Sequence, residues 1–255
     1  MKNHFILTPF FLDQSLTGLE SLAEPGWFLN KPALPKGALQ SRMSLLHEAI
    51  ANQVADAVRA GRRPVSIAGD CCSMIGVVAG LQRAGINPFV IWFDAHGDFN
   101  TWETTPSGFL GGMALAMLAG LGEQTMPESV GLQSVAEEMI ILTDARNLDS
   151  QERDLIESSK VKHFSDVTRL LKYPLPRLPL HIHVDVDIIN PIDAPAMSYL
   201  APGGPRASEL GNIFRFLART GQIAGVSMCT WTPELDGDQE SEAVSMRLLK
   251  VLLEN

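Results

Sequence analysis

The sequence predicts a single α/β domain over residues 1–255, a three-layer α/β/α sandwich around a mostly parallel sheet. Three observations predict it. The chain has 255 residues, of which 45% are apolar, enough to bury one large core. Apolar runs of strand length recur, and they are continuous rather than alternating, as in strands covered on both faces. Segments of helical periodicity separate them, so strand alternates with helix.

In chain order, residues 5–9 form the first strand. The start carries one lysine and a short apolar stretch interrupted by Pro9. It has no small-residue cleavage site, so a strand is expected there rather than a signal peptide. Residues 38–59 place Leu39, Met43, Leu46, Ile50, Val54 and Val58 along one stripe, the mark of an amphipathic helix. Gly61 follows as a C-cap would. Residues 65–68 are the next strand and 73–83 the next helix, closed by Gly85. Strand 89–93 precedes helix 110–118, and strand 139–143 precedes helix 150–158. The proline-rich stretch 171–179 reads as a loop. Strand 180–187, helix 208–219 with Gly221 behind it, strand 224–229 and helix 241–253 complete the chain. No internal repeat or low-complexity segment interrupts this order.

Composition narrows the function. The formal net charge is −9 and the pI about 5.1. Such a chain lacks the positive field that holds phosphate backbones, so nucleic acid is not an expected partner. No apolar run reaches the roughly 18 residues that span a bilayer, so no membrane partner is expected. Three cysteines, two of them adjacent at Cys71 and Cys72, do not suit a disulfide framework. A reducing cytoplasm is the expected location.

The chemistry gathers at strand ends, where open parallel sheets place their ligands. Strand 89–93 runs into Asp94-Ala95-His96-Gly97-Asp98. Strand 180–187 ends in Asp185-Val186-Asp187, and strand 65–68 runs into Gly69-Asp70-Cys71-Cys72. In an extended chain Asp185 and Asp187 point to one side, because side chains alternate. Paired carboxylates repel unless a cation lies between them. Oxygen ligands with imidazole suit first-row divalent ions. His181 and His183 share the face of Asp185; His183 lies about 6–7 Å deeper and reads as a core or supporting histidine. His4, His47 and His163 stand alone and read as structural or solvated. Glu234, Asp236 and Asp238 read as a solvated acidic loop.

These segments resemble the signatures of the arginase, agmatinase and formiminoglutamase family, the ureohydrolases. IWFDAHGDFNT is similar to its DAHxD signature, and HVDVDIINPIDAPA with the following PGG to its DxD signature. IAGDCCSMIG resembles the GGDHS signature, and RNLDSQE (146–152) the R-D-x-D-x-x-E run. The resemblance covers roughly residue 65 to the C-terminus. It implies an arginase-like fold and a homo-oligomer acting on a small-molecule substrate. It implies metal ligation by Asp94, His96, Asp98, Asp185 and Asp187, with Asp98 also catalytic, and one or two divalent ions, manganese by resemblance. Asn100 and Ser107 match family substrate contacts, and Asn147 and Asp149 match a substrate-selecting pair. Loop capping and an ordinary helix N-cap are the alternatives for these four.

The departures point to an atypical member. The histidine of GGDHS falls on Cys71. A thiolate there would shift preference toward zinc, iron or nickel; otherwise Cys71 is packed in the core as cysteines commonly are. The histidine of the family's SGN-x-H segment falls on Gly111, and a polar substrate contact falls on Phe109. The acid that pairs with guanidinium falls on Thr230. A cationic guanidinium would lose its charge-assisted partner there. The expected function is metal-dependent hydrolysis of linear C–N bonds of the amidine or guanidine type on a non-arginine substrate. The competing reading is an inactive paralogue that binds or scaffolds.

Overall fold

In a computed structural model, residues 1–229 and 231–254 are described. Ten strands form in chain order: β1 (Asn3–Thr8), β2 (Phe10–Phe11), β3 (Gln14–Ser15), β4 (Phe28–Leu29), β5 (Arg63–Ala68), β6 (Phe89–Asp94), β7 (Ile140–Asp144), β8 (Lys162–Phe164), β9 (Leu180–Asp185) and β10 (Ile223–Cys229). The helices are α1 (Leu39–Arg59), α2 (Met74–Arg83), α3 (Ala114–Leu118), α4 (Thr125–Ser129), α5 (Ser150–Ser158), α6 (Ala207–Arg219) and α7 (Asp238–Leu253).

Eight strands make one sheet in the order β4-β1-β5-β10-β9-β6-β7-β8, every pairing parallel. β2 and β3 form a separate antiparallel hairpin. Alternation along each strand sorts side chains between two cores. On β6, Val90 and Trp92 face the core with α1 and α2. Phe89, Ile91 and Phe93 face the core with α6 and α7. The sheet is thus covered on both faces, which is why its strands read as continuous apolar runs. Consecutive strands β5 and β6 are separated in the sheet by β10 and β9. The chain changes winding direction there, and a crevice opens beyond the strand ends.

The predicted elements appear within a few residues of their expected bounds, with instructive exceptions. The strand expected at 180–187 stops at Asp185, and Val186–Ile188 turn as a 3-10 helix. The Asp185 side chain accepts from the Asp187 backbone N–H and caps that turn. The extended geometry expected for Asp185 and Asp187 is therefore corrected. Helix 110–118 is split: Leu110–Met113 is 3-10, with Gly112 outside helical angles, before α3 begins. Two adjacent glycines give the backbone the freedom to bend there. Asp238 belongs to the first turn of α7 rather than to a solvated loop, where an acidic side chain suits the helix dipole. Gly61, Gly85 and Gly221 end their helices with φ of 67°, 82° and 68°, the left-handed C-cap. The short strands β2, β3, β4 and β8 and the helix α4 were not foreseen, being too short for a periodic signal.

α2 lies unusually close to α1. A Cβ on Gly76 would stand 2.5 Å from the His47 carbonyl oxygen, and one on Gly80 would stand 2.5 Å from that of Ala51. Both neighbours are helix backbone and cannot swing aside. Gly76→Ala and Gly80→Ala should each destabilise the fold by about 1–3 kcal/mol from overpacking, although alanine is the better helix former by roughly 1 kcal/mol. Urea denaturation checks this, and a stabilised variant would show that the helices can separate at no cost.

Candidate metal centre

The sheet delivers its acidic residues to one place. β6 ends at Asp94, β9 at Asp185, and β5 runs into Asp70 and Cys71. A cavity of about 590 Å³ opens above them. Every predicted site residue lines it: Cys71, Asp94, His96, Asp98, Asn100, Ser107, Asn147, Asp149, Asp185 and Asp187.

Backbone and side-chain hydrogen bonds fix the acids. Trp92 Nε1 donates to Asp94 Oδ2 at 3.0 Å, and the His96 N–H to Asp94 Oδ1 at 2.6 Å. The Ala95 N–H donates to Asp187 Oδ1 at 3.1 Å, while His96 Nδ1 lies 2.8 Å from Asp187 Oδ2. The Cys71 thiol donates to Asp185 Oδ2 at 3.0 Å. Asp98 holds a left-handed backbone with φ of 48°, a conformation uncommon for a non-glycine residue. Ligand atoms of Cys71, Asp94 and Asp98 lie within 4.8 Å of one another, and so do those of Asp94, His96 and Asp187. Of the five groups expected to converge, Asp94, His96, Asp98 and Asp187 fall into two triplets that share Asp94, one of them completed by Cys71, while Asp185 belongs to neither triplet. That donor chemistry, mostly carboxylate oxygen with one imidazole, fits a pair of divalent ions.

The electrostatics of the ion-free cluster are costly. Burial raises the Asp94 and Asp98 carboxyls, and neighbouring carboxylates raise them further. Burial, then Asp187, pushes Asp185 up to about 7. Burial, then Asp94, pushes Asp187 up to about 6. For His96, burial opposes the charge, but hydrogen bonds to Asp187 and Asp94 outweigh it and push the imidazole up to about 12. Clustered acids hold protons because nothing else neutralises them.

The remaining predicted residues are placed as follows. Asn100 donates from Nδ2 to Asp149 Oδ2 at 3.0 Å and accepts from Thr104 Oγ1 at 2.9 Å, so its amide organises the loop. Ser107 is exposed and accepts from the Phe109 N–H at 3.2 Å. Asn147 Nδ2 sits 3.2 Å from His96 Nε2. Asp149 opens α5 in a capping box with Glu152. Cys72 points away, toward the Leu110 carbonyl. Thr230 lies outside the described residues. His183 is fully buried and touches a hydroxyl, Ser227 Oγ at 2.8 Å, instead of a carboxylate.

Sequence reasoning passed over several residues that shape the cavity. Glu152 accepts from the Phe99 N–H at 2.9 Å and from the Asp149 N–H at 3.2 Å, and burial pushes its carboxyl up to about 7. Its place three residues after Asp149 was the available signal. Asp70 accepts from the N–H groups of Leu12 and Cys72 at 2.8 and 2.9 Å, tying the hairpin to β5. Arg146 pairs with Asp144 and donates to the carbonyls of Asp187, Ile188, Ala201 and Pro202, fastening the 187–202 segment beside the cavity. Phe11, Phe109 and Tyr199 stack over the opening, with ring centroids 5.2 to 6.3 Å apart. No local sequence pattern marks that trio.

Known proteins share this arrangement. A family model described as the Arginase family matches residues 32–253, so the likeness reaches further toward the N-terminus than residue 65. The chain is 30% identical to an arginase of Bacillus subtilis strain 168 over 219 residues, 81% of this chain and 74% of that protein. It is 30% identical to an arginase of Bacillus caldovelox over 216 residues, 80% and 72% of the two chains. A crystal structure of arginase from Bacillus subtilis superposes with a TM-score of 0.85 at 26% identity, covering 100% and 99% of the two chains. The agmatine ureohydrolase of Thermoplasma volcanium shares the fold, with a TM-score of 0.70 at 17% identity over 99% and 89%. With both acidic strand ends in place and the family model matching nearly the whole chain, this protein belongs to the arginase family.

Proposed function

We propose that this chain is a divalent-metal-dependent hydrolase of linear C–N bonds in amidine- or guanidine-type compounds, and that arginine is not its substrate. Family membership and the two triplets support the first part. Asp94, Asp98, Asp185 and Cys71 would hold one ion, and Asp94, His96, Asp185 and Asp187 the other. A pair of divalent ions there would supply Lewis acidity and lower the pKa of a nearby water. Manganese suits the oxygen-rich triplet; Cys71 as a ligand would favour zinc, iron or nickel. Asp98, a buried carboxylate at the cavity floor, would accept a proton from the attacking water and return it to the departing nitrogen. His96 Nδ1, which faces Asp187, would bind the ion, and Asn147 at Nε2 would orient the ring.

The second part rests on one observation. A Cβ on Gly111 would stand 2.4 Å from the Phe109 ring. Phe109 therefore fills the space that a larger side chain at 111 would need. It stacks with Phe11 and Tyr199 into an aromatic roof beside the cavity. A cationic head would be desolvated beneath that roof, whereas a neutral or apolar group gains from burial. The small-molecule substrate is thus neutral, or carries an apolar arm. A homo-oligomer is the expected assembly.

Substrate preference tests this directly. Arginine and agmatine should be turned over well below the rates of about 1–1000 per second ordinary for enzymes, and neutral amidines and aryl- or alkyl-substituted guanidines faster. Phe109→Ala should raise KM for the preferred substrate roughly tenfold, the equivalent of about 1.4 kcal/mol of lost apolar contact. Urea release from arginine at ordinary rates would defeat the reading.

Metal stoichiometry tests the two-triplet arrangement. Asp94 is common to both triplets, so Asp94→Asn should lose both ions. His96→Ala and Asp98→Asn should each lose one. Inductively coupled plasma mass spectrometry of dialysed protein reads the ratio, and equal losses in all three variants would contradict a shared Asp94.

Proton linkage gives a third expectation. The ion-free carboxyls of Asp185 and Asp187 titrate near about 7 and about 6, above the ordinary aspartate value of roughly 4. An ion must displace those protons and the one on His96, so affinity rises with pH by at least about tenfold per unit near pH 6–7. Without an ion these two carboxyls bind more protons folded than unfolded between about 4 and 7, so their contribution to stability falls as pH rises through that window. The buried His47 and His181, lowered to about 3, contribute with the opposite sign below their ordinary value. Calorimetric titration and melting curves at stepped pH measure both. A flat affinity between pH 5 and 8 would remove His96 and the paired aspartates from the ligand set.

A further inference from the structure

We infer that Cys71, His183 and Cys229 form a separate, buried site for a thiophilic divalent cation such as zinc, lying beneath the carboxylate triplets. The inference stands whether or not those triplets hold ions, because two of its three groups belong to neither.

The geometry comes from three adjacent strands. β5, β10 and β9 are neighbours in the sheet. Cys229 ends β10, in register with Ala68 on one side and Asp185 on the other. His183 lies two residues below Asp185 on the same face of β9, paired with Ser227. Cys71 follows β5 after a tight turn capped by Asp70. The His183 Nε2 atom stands 3.4 Å from Cys71 Sγ and 3.8 Å from Cys229 Sγ. The three ligand atoms lie within 4.8 Å of one another, and all three residues are buried. A tetrahedral zinc ion, with Zn–S about 2.3 Å and Zn–N about 2.0–2.1 Å, sets sulfur and nitrogen roughly 3.6 Å apart. The observed sulfur–nitrogen separations bracket that value.

The histidine is also held as a ligand histidine is held. Its Nδ1 lies 2.8 Å from Ser227 Oγ, which also contacts His181 Nε2 at 2.9 Å and Met74 Sδ at 2.8 Å. The ring rests on Trp92, with centroids 3.9 Å apart. A hydrogen bond at one ring nitrogen and packing on the ring face leave Nε2 aimed at the two sulfurs, the arrangement that orients metal-binding imidazoles. Asp185 Oδ2 lies 3.0 Å from Cys71 Sγ, on the side of the carboxylates. Cys71 lines the cavity and so gives an ion its way in. Two thiolates and an imidazole make a soft donor set directly below a hard one, so different ions sort between the two.

Cobalt(II) is the probe that separates this site from the carboxylates, because thiolate ligation adds an intense sulfur-to-cobalt charge-transfer band. Protein stripped by chelation and reloaded with cobalt should show a band of two-thiolate intensity. Cys229→Ser should cut it to about half, and His183→Gln should shift the visible ligand-field bands while keeping the charge-transfer band. Asp94→Asn, which removes the ligand common to the triplets, should leave the band unchanged. Zinc-edge X-ray absorption on the unmutated protein should find two sulfurs at about 2.3 Å, a readout that needs no variant to fold. No charge-transfer band, fewer than two sulfurs, or full intensity in a folded Cys229→Ser protein would overturn the proposal. The first leaves a thiol–imidazole hydrogen-bond cluster, and the last leaves Cys71 alone on the carboxylate ion.

Discussion

Several carboxylates crowd the ends of β6 and β9, where water is largely excluded and each raises its neighbour's affinity for protons. That like-charge crowding is the constraint around which the rest of the structure is arranged. A parallel sheet creates it, because all strand ends of one polarity meet at one edge. Backbone N–H groups offset part of it: Ala95, His96 and Asp187 each donate to an aspartate. Only cations offset the remainder, which is why the cluster makes sense as a metal centre. The strained φ of Asp98 fits the same picture, since the surrounding fold must hold a conformation the residue would not choose.

The roof obeys a different constraint. Phe109 and Gly111 would be read as two separate changes from the sequence alone. In space they are one, because the ring occupies the position that any side chain at 111 would take. Restoring a polar group at 111 without moving Phe109 is sterically impossible. The stack with Phe11 and Tyr199 then makes the change cooperative, joining the β2–β3 hairpin, the 107–111 loop and the 197–201 segment.

Much of this was legible in the sequence. The six long strands and the long helices carry period and length signals that packing has no reason to override. The acidic strand ends were visible as DAHGD and DVD, and both lie where parallel-sheet logic puts them. The extended backbone expected at Asp187 was misjudged because residues 180–187 alternate apolar and polar side chains without a break, as a strand does. Nothing local shows that the Asp185 carboxylate will accept the Asp187 N–H and turn the chain. Glu152 and Arg146 lie within the RNLDSQE run, but their roles were not legible there. Part of what they hold is backbone in distant loops, and such pairings follow from topology rather than spacing. The aromatic roof is the extreme case, assembled from residues 11, 109 and 199.

His183 and Cys229 show how the same limit conceals chemistry. Along β9 the histidine read as a core or supporting residue beneath Asp185, and Cys229 drew no reading beyond its place at the end of a strand. Sheet order brings them together, since β9 and β10 were distant in sequence yet adjacent in space. Cys71 then stands at the boundary between two donor sets, with Asp185 above and His183 below. If a soft ion beneath engages the Cys71 thiolate, that thiolate is less available to an ion above, and the metal content of the carboxylate centre would then depend on what occupies the layer under it, through one shared sulfur. That buried polar layer is the place where the chain's two metal chemistries would be coupled.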